Sequence, residues 1–173
     1  MRFHWAILVA ALLTASPARA ERLQFDHRLY PPLQQVLDSG NKDMIDFNSK
    51  NPTRLVDLIA VKGKSAKAWS EALEIVSIVR PGDVSGAQDW MALMQKQSLG
   101  RCKAEFSVIA QDANSVTFER HSRDCRAERA NHGLYRLVAG KRSWFQLSVL
   151  SKGELAAEAR TQWLALLASA RLE

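Results

Sequence analysis

Apolar and polar residues alternate with a period of two through Phe106, Val108 and Ala110, and again through Val116 and Phe118, around Asp112-Ala113-Asn114. Two strands sharing one buried face carry that pattern, so it predicts a β-hairpin. Keeping the apolar residues on one face pairs Ala110 with Val116 and Val108 with Phe118, since a slip of one residue would set Val108 opposite Glu119. Asp112 to Asn114 then form a three-residue loop, with Asn114 at the position that usually needs a left-handed backbone.

The same reading extends along the chain. Arg54 to Val61 is a first strand, with Leu55, Ile59 and Val61 among its apolar members, followed by a solvated Lys62–Lys67 turn. Leu73 to Arg80 is a second, rich in β-branched residues and stopped by Pro81-Gly82. Trp69 packs at the edge of the core, and Glu71 is a surface or strand-edge group. From Asp83 to Gly100 the period changes to about 3.6: Ala87, Trp90, Met91 and Met94 share a helical face, Ser85 with Gln88 forms a capping box, and Gly100 takes the C-cap. A second hairpin turning at Gly140-Lys141-Arg142 sets Tyr135 and Leu137 opposite Leu147 and Phe145, with Val149 on the same face. Ser151 with Glu154 caps a last helix that carries Leu155, Ala159, Trp163, Leu166, Leu167 and Ala170 on one side. Consecutive hairpins exclude a doubly wound sheet. The expected fold is α+β: a single antiparallel sheet of about six strands with two main helices packed on one face.

Met1 to Ala20 has the parts of an export signal: Arg2, an apolar run from Trp5 to Leu13, and Ala18-Arg19-Ala20 before the cleavage point. The run is too short to span a bilayer, and no later segment approaches that length. Residues 21–52, interrupted at Tyr30-Pro31-Pro32 with a short helix at Leu33 to Leu37, are an N-terminal extension; residues 53–173 are the α+β domain. The expected location is periplasmic or secreted. Losing Arg2 and Arg19 with the signal leaves 22 basic residues against 18 acids, and the excess falls between Arg101 and Arg142, which holds nine basic residues and five acids.

Export bears on the two cysteines. Cys102 and Cys125 are expected to form a disulfide, stabilising the fold by roughly 3 kcal/mol in the chain-entropy model. The hairpin register sets Cys102 opposite Asp124, so the bridge asks for a bulge near His121 to Asp124. The rival is a Cys2His2 metal site of Cys102, His121, Cys125 and His132.

The basic excess suggests an anion-binding face of Arg120, Arg123, Arg126, Arg129, Lys141 and Arg142, for an anionic envelope component or an acidic protein. The competing reading is a solvated loop with its arginines paired to Glu119, Asp124 and Glu128. Nucleic acid is disfavoured by export and by the absence of aromatics among these cations. The chain has no phosphate-cradling glycine loop, no Gly-x-Ser-x-Gly elbow and no His-Glu-x-x-His helix. No catalytic residue, metal or cofactor is assigned. The runner-up function is a cell-envelope hydrolase using His121 with Glu119 or Asp124.

Trp69-Ser70-Glu71 before Ala72 to Arg80, the pair Cys102 and Cys125, and Trp163 in the last helix resemble the layout of PsbP-like secreted domains. More closely, they resemble a group of uncharacterised proteobacterial periplasmic proteins. The resemblance covers roughly Leu55 to Leu172 and implies binding or assembly without catalysis. It offers no functional residue to carry over. The expected function is therefore an exported, non-catalytic binding or assembly protein of the bacterial cell envelope.

Overall fold

The computed structural model describes residues 21–48, 51, 53–80, 82, 84–99, 103–122 and 130–173. Among the described residues, nine strands and three α-helices follow one another as β1 (Leu23–Gln24), α1 (Pro31–Ser39), β2 (Ile45–Asn48), β3 (Arg54–Gly63), β4 (Trp69–Val79), α2 (Ala87–Leu99), β5 (Ala104–Gln111), β6 (Ser115–Ser122), β7 (His132–Ala139), β8 (Ser143–Ser151), α3 (Ala157–Ala168) and β9 (Arg171–Leu172). Seven strands form one antiparallel sheet in the order β2-β3-β4-β8-β7-β6-β5, and β1 pairs with β9 in a second, two-stranded sheet. The expectation of one six-stranded sheet with two helices on one face is corrected by this arrangement. The main sheet has a seventh strand, there is a third helix, and the helices cover both faces.

Both faces are covered because the central strands are apolar on both sides. Along β8, Leu147 and Val149 join Leu73, Leu134, Tyr30, Leu33, Trp163, Leu166 and Leu167 in one cluster under α1 and α3. Trp144 points the other way and packs with Trp90 and Ala87 of α2, together with Val116, Phe118, Tyr135 and Leu137. A strand that is apolar on alternate faces alike does not specify its own register. This is why the second hairpin differs from expectation by one residue: Tyr135 and Leu137 stand opposite Ser148 and Gln146, while Leu147 faces Arg136. The turn itself falls at Gly140 to Arg142, as the residue types predict.

The first hairpin pairs Val108 with Phe118 as expected, but Ile109 is an extra residue on β5, so Ala110 faces Thr117 and Gln111 faces Val116. No non-glycine among the described residues has positive φ, Asn114 included. The loop is held instead by the Asp112 carboxylate, which accepts from the backbone of Asn114 (2.8 Å) and Ser115 (2.8 Å) and from the Ser115 hydroxyl (2.6 Å). The pairing runs to Ala104 opposite Ser122; Cys102 and Cys125 lie outside the described residues. At α2, Ser85 bonds Asp89, and Gln88 donates to the carbonyl of Asp112, so the expected Ser85–Gln88 box is not made. Gly100 lies outside the described residues. Ser151 ends β8 instead of capping α3, whose N-cap is Ala156.

The proline pair begins a helix where a break was expected. Pro31 and Pro32 occupy the first positions of α1, where a missing N–H costs nothing, and Gly40 closes the helix with a φ of 62°. This seats Tyr30 and Leu33, exposed by 1% and 0%, in the core. It also brings Tyr30 to Glu71, which is buried, not at the surface. The Glu71 carboxylate accepts from the Tyr30 hydroxyl (2.5 Å), the Trp163 indole (2.8 Å) and the Lys62 ammonium (2.7 Å).

Replacing Glu71 by Ala should lower the unfolding free energy by about 2–4 kcal/mol, because the Tyr30 and Trp163 donors are left buried and unpaired at roughly 1–2 kcal/mol apiece. Lys62, with its side chain half exposed, can rehydrate. Glu71→Gln keeps an acceptor for both aromatic donors and should cost about 1 kcal/mol. Urea unfolding checks the order of the two variants; equal losses would show that the carboxylate is not the organising acceptor.

Candidate functional site

Strand register lines up a row of polar side chains on the face under α3: Glu105 opposite His121, His121 opposite His132, His132 opposite Ser151, Ser151 opposite Glu71 and Glu71 opposite Lys62. Residues opposite one another in antiparallel strands share a face. Beside this row, Glu119 accepts from Arg160 of α3 at Nη2 (2.6 Å) and Nε (3.3 Å) and contacts His132 Nε2 at 2.5 Å. The Arg160 guanidinium beside Glu119 holds its carboxyl below the usual carboxylate range, with a smaller contribution from His132, against the opposing effect of burial.

The hydrolytic reading placed His121 with Glu119 or Asp124. His121 and Glu119 share a face of β6, but the imidazole that Glu119 contacts is His132. Asp124 lies outside the described residues. His132 is buried, and its Nδ1 has no partner among the described residues. A carboxylate bridged between a guanidinium and an imidazole joins α3 to β6 and β7, while its lowered pKa weakens it as a general base at neutral pH. Of the proposed metal ligands, His121 and His132 stand with ring centroids 5.8 Å apart, and both cysteines are outside the described residues. Among the described residues, no group of three or more His, Cys, Asp or Glu side chains could hold a metal ion.

The arginine-rich constellation spans two ends of the sheet. Arg120 stands opposite Gly133 near the start of β7, and its guanidinium reaches the Tyr135 hydroxyl at 3.4 Å. Lys141 and Arg142 follow the end of β7, six residues beyond Gly133, about 20 Å away at strand spacing. Arg123, Arg126 and Arg129 lie outside the described residues.

At the Lys141 end there is a cleft of about 360 Å³ between the β5–β6 loop, the β7–β8 turn and the start of α2, lined among others by Arg80, Lys141, Asn114, Gly140, Trp144 and Glu21. Its cations come from two strands joined by pairing of Val79 with Ser143; the Arg80 amide also donates to the Arg142 carbonyl at 2.9 Å. Arg80, Lys141 and Arg142 are exposed. Among the described residues, their side chains make no hydrogen bond or ion pair. The cleft wall also contains an unpaired polar group: Trp144 is 1% exposed, and its Nε1–H is buried without an acceptor among the described residues. Such a donor costs about 1–3 kcal/mol while it stays unpaired.

Glu21 is the acid in this cleft. Its carboxylate accepts from three successive backbone amides of the β7–β8 turn: Lys141 at 2.8 Å, Arg142 at 2.9 Å and Ser143 at 2.9 Å. Desolvation acts to raise its pKa, but these bonds outweigh it and hold the carboxyl below its ordinary value. Sequence reasoning located Lys141 and Arg142 through the charge count. It missed Arg80, Trp144 and Glu21, which meet only when β4, β8 and the N-terminal segment pair. The local signal was a basic residue at each of two turns, Arg80 before Pro81-Gly82 and Lys141 after Gly140.

No protein-family model matches the chain, and no curated protein matches it.

The Glu119 clasp predicts an acid-dependent stability. Because the folded pKa lies below the unfolded one, the contribution is complete above the ordinary value of 4.5 and is lost as pH falls through the folded pKa. Glu119→Gln should cost about 1–2 kcal/mol at pH 7, a charge-assisted bond discounted for partial exposure. The gap between the two proteins should narrow as pH falls below 4.5. Urea titrations at pH 7, 5, 4 and 3 measure it; a gap that does not change across the series would contradict the assignment.

Proposed function

We propose that the chain is an exported, non-catalytic binding or assembly protein of the bacterial cell envelope, and that it takes an anionic group of its partner in the cleft at the β7–β8 turn. The observation that carries this reading is the set of cations Arg80, Lys141 and Arg142, exposed at one end of the sheet without a side-chain ion pair among the described residues. Clustered cations outnumber the one carboxylate beside them, since Glu21 interacts with Lys141 and leaves Arg80 and Arg142 unpaired among the described residues, and such a local excess favours encounter with anions. The export features of Met1 to Ala20 and the binding role implied by the PsbP-like resemblance agree with it. The hydrolytic alternative needs a carboxylate free to move protons, and Glu119 is held by Arg160.

Changing Arg80, Lys141 and Arg142 together to Ser should abolish capture of the partner from an envelope extract, leaving the unfolding transition within about 0.5 kcal/mol of the parent, as expected of surface substitutions. Raising the salt from about 0.1 to 1 M, which shortens the screening length from about 10 to about 3 Å, should release a partner already captured. Partners identified by mass spectrometry whose capture resists both changes would place the binding surface elsewhere.

A further inference from the structure

We propose that the backbone amides of Lys141, Arg142 and Ser143 form a carboxylate-binding site, that Glu21 is its internal occupant, and that a polycarboxylate ligand binds by displacing Glu21. The proposal rests on the anion-binding reading of this cleft and names its ligand class.

Three successive N–H groups converging on one anion make a preformed nest, with fixed partial charges that need no rearrangement to receive it. The turn that presents them is closed independently of Glu21, by the Gly140 amide donating to the Ser143 carbonyl at 3.0 Å and by the Arg80 amide donating to the Arg142 carbonyl at 2.9 Å. Room for the anion comes from Gly140: a Cβ at that position would lie 2.5 Å from Glu21 Oε2 and 2.5 Å from the Ser143 carbonyl oxygen. The division of donors, one to Oε1 and two to Oε2, suits the two oxygens of a carboxylate.

Glu21 can leave without undoing the fold. It precedes the β1–β9 ladder, in which Arg22 and Glu173 exchange backbone bonds of 3.0 and 2.9 Å and Leu23 stands opposite Leu172. Nothing in that ladder requires the Glu21 carboxylate. Its carboxylate feels the charge of Lys141, while Arg80 in the same cleft and the exposed Arg142 make no ion pair among the described residues, so cationic charge is left over. A ligand with one carboxylate merely exchanges for Glu21. One with a second or third carboxylate also engages Arg80, Lys141 or Arg142, and so competes successfully. An internal competitor lowers the apparent affinity by the fraction of time the nest is filled, and removing it restores that affinity.

Acidic peptides and uronic-acid polymers share this chemistry, so triglutamate, trigalacturonate, their methyl esters and inorganic phosphate serve as probes against the exported, processed chain and its Glu21→Ala and Glu21→Gln variants. Expected is at least ten-fold tighter binding of triglutamate or trigalacturonate by Glu21→Ala than by the parent, and none of the esters. The amide resonances of Lys141, Arg142 and Ser143 should move upfield on substitution and return on adding the probe. The source is the probe that gives the larger gain. Glu21→Gln, which keeps the side-chain shape, guards against a change of fold by preserving the Arg22 and Glu173 resonances. Binding abolished by changing Arg80, Lys141 and Arg142 but unaltered by Glu21→Ala, with the three amides unmoved, would overturn the nest and leave the anion-binding reading intact. A gain for phosphate but for neither polycarboxylate would overturn the carboxylate class. Loss of all binding in every protein would overturn both.

Discussion

The Glu71 carboxylate gathers side chains from four parts of the chain at one buried point: Tyr30 ahead of α1, Lys62 at the end of β3, Trp163 in the middle of α3, and its own strand β4. An ionised carboxylate taken out of water is costly unless its lone pairs are filled, and here three donors fill them. The donors also hold one another, since the Tyr30 and Trp163 rings lie with centroids 4.0 Å apart. A patch of leucines could have matched this stability. It could not have required a hydroxyl, an indole N–H and an ammonium at defined positions, which fixes how α1 and α3 sit on the sheet.

Glu71 also shows where local pattern stops being informative. It lies in phase with Leu73 and Ile75, so strict alternation puts it on the core side of β4. Its charge argued for the surface, and the charge reading was wrong because the compensating donors come from residues 41 positions before and 92 after it. The β5–β6 hairpin at one side of the sheet was more legible. Val116 and Phe118 alternate, and the pairing of Phe118 with Val108 follows from that alternation, although the extra residue Ile109 moves Val116 from Ala110 to Gln111. Trp144, Phe145, Leu147, Val149 and Leu150 make β8 apolar on both faces, which erased the register signal and concealed that α2 packs opposite α1 and α3. Ile45-Asp46-Phe47-Asn48 alternates, yet four residues behind a proline-containing segment carry little weight until they pair with β3.

The candidate site was legible to the extent that charge is. Counting basic residues isolated Lys141 and Arg142, but it joined them to Arg120, which stands at the opposite end of β7. Charge density along a sequence does not distinguish the two ends of a strand, whereas the sheet separates them by its length. What brings Arg80 beside Arg142 is the antiparallel pairing of β4 with β8, a contact between residues 62 positions apart. Glu21 arrives by way of the β1–β9 ladder, from the other end of the sequence. Each partner in the cleft is thus ordinary in its local context and becomes informative only through non-local pairing.

That geometry bears on where affinity could arise. When an incoming carboxylate replaces Glu21, three amide bonds are broken and three are made, so the exchange within the nest is close to neutral. On the proposed reading, net binding would then come from the cationic charge that one Glu21 carboxylate does not balance, at Arg80, Lys141 and Arg142. In that case the nest would position the first carboxylate, while the surrounding cations would decide between ligands by the placement of their further anionic groups. A single carboxylate therefore gains little, and selectivity grows with the number and spacing of anionic groups along the ligand. Preorganisation makes this division effective, because a turn closed by its own hydrogen bonds loses little freedom when the occupant changes.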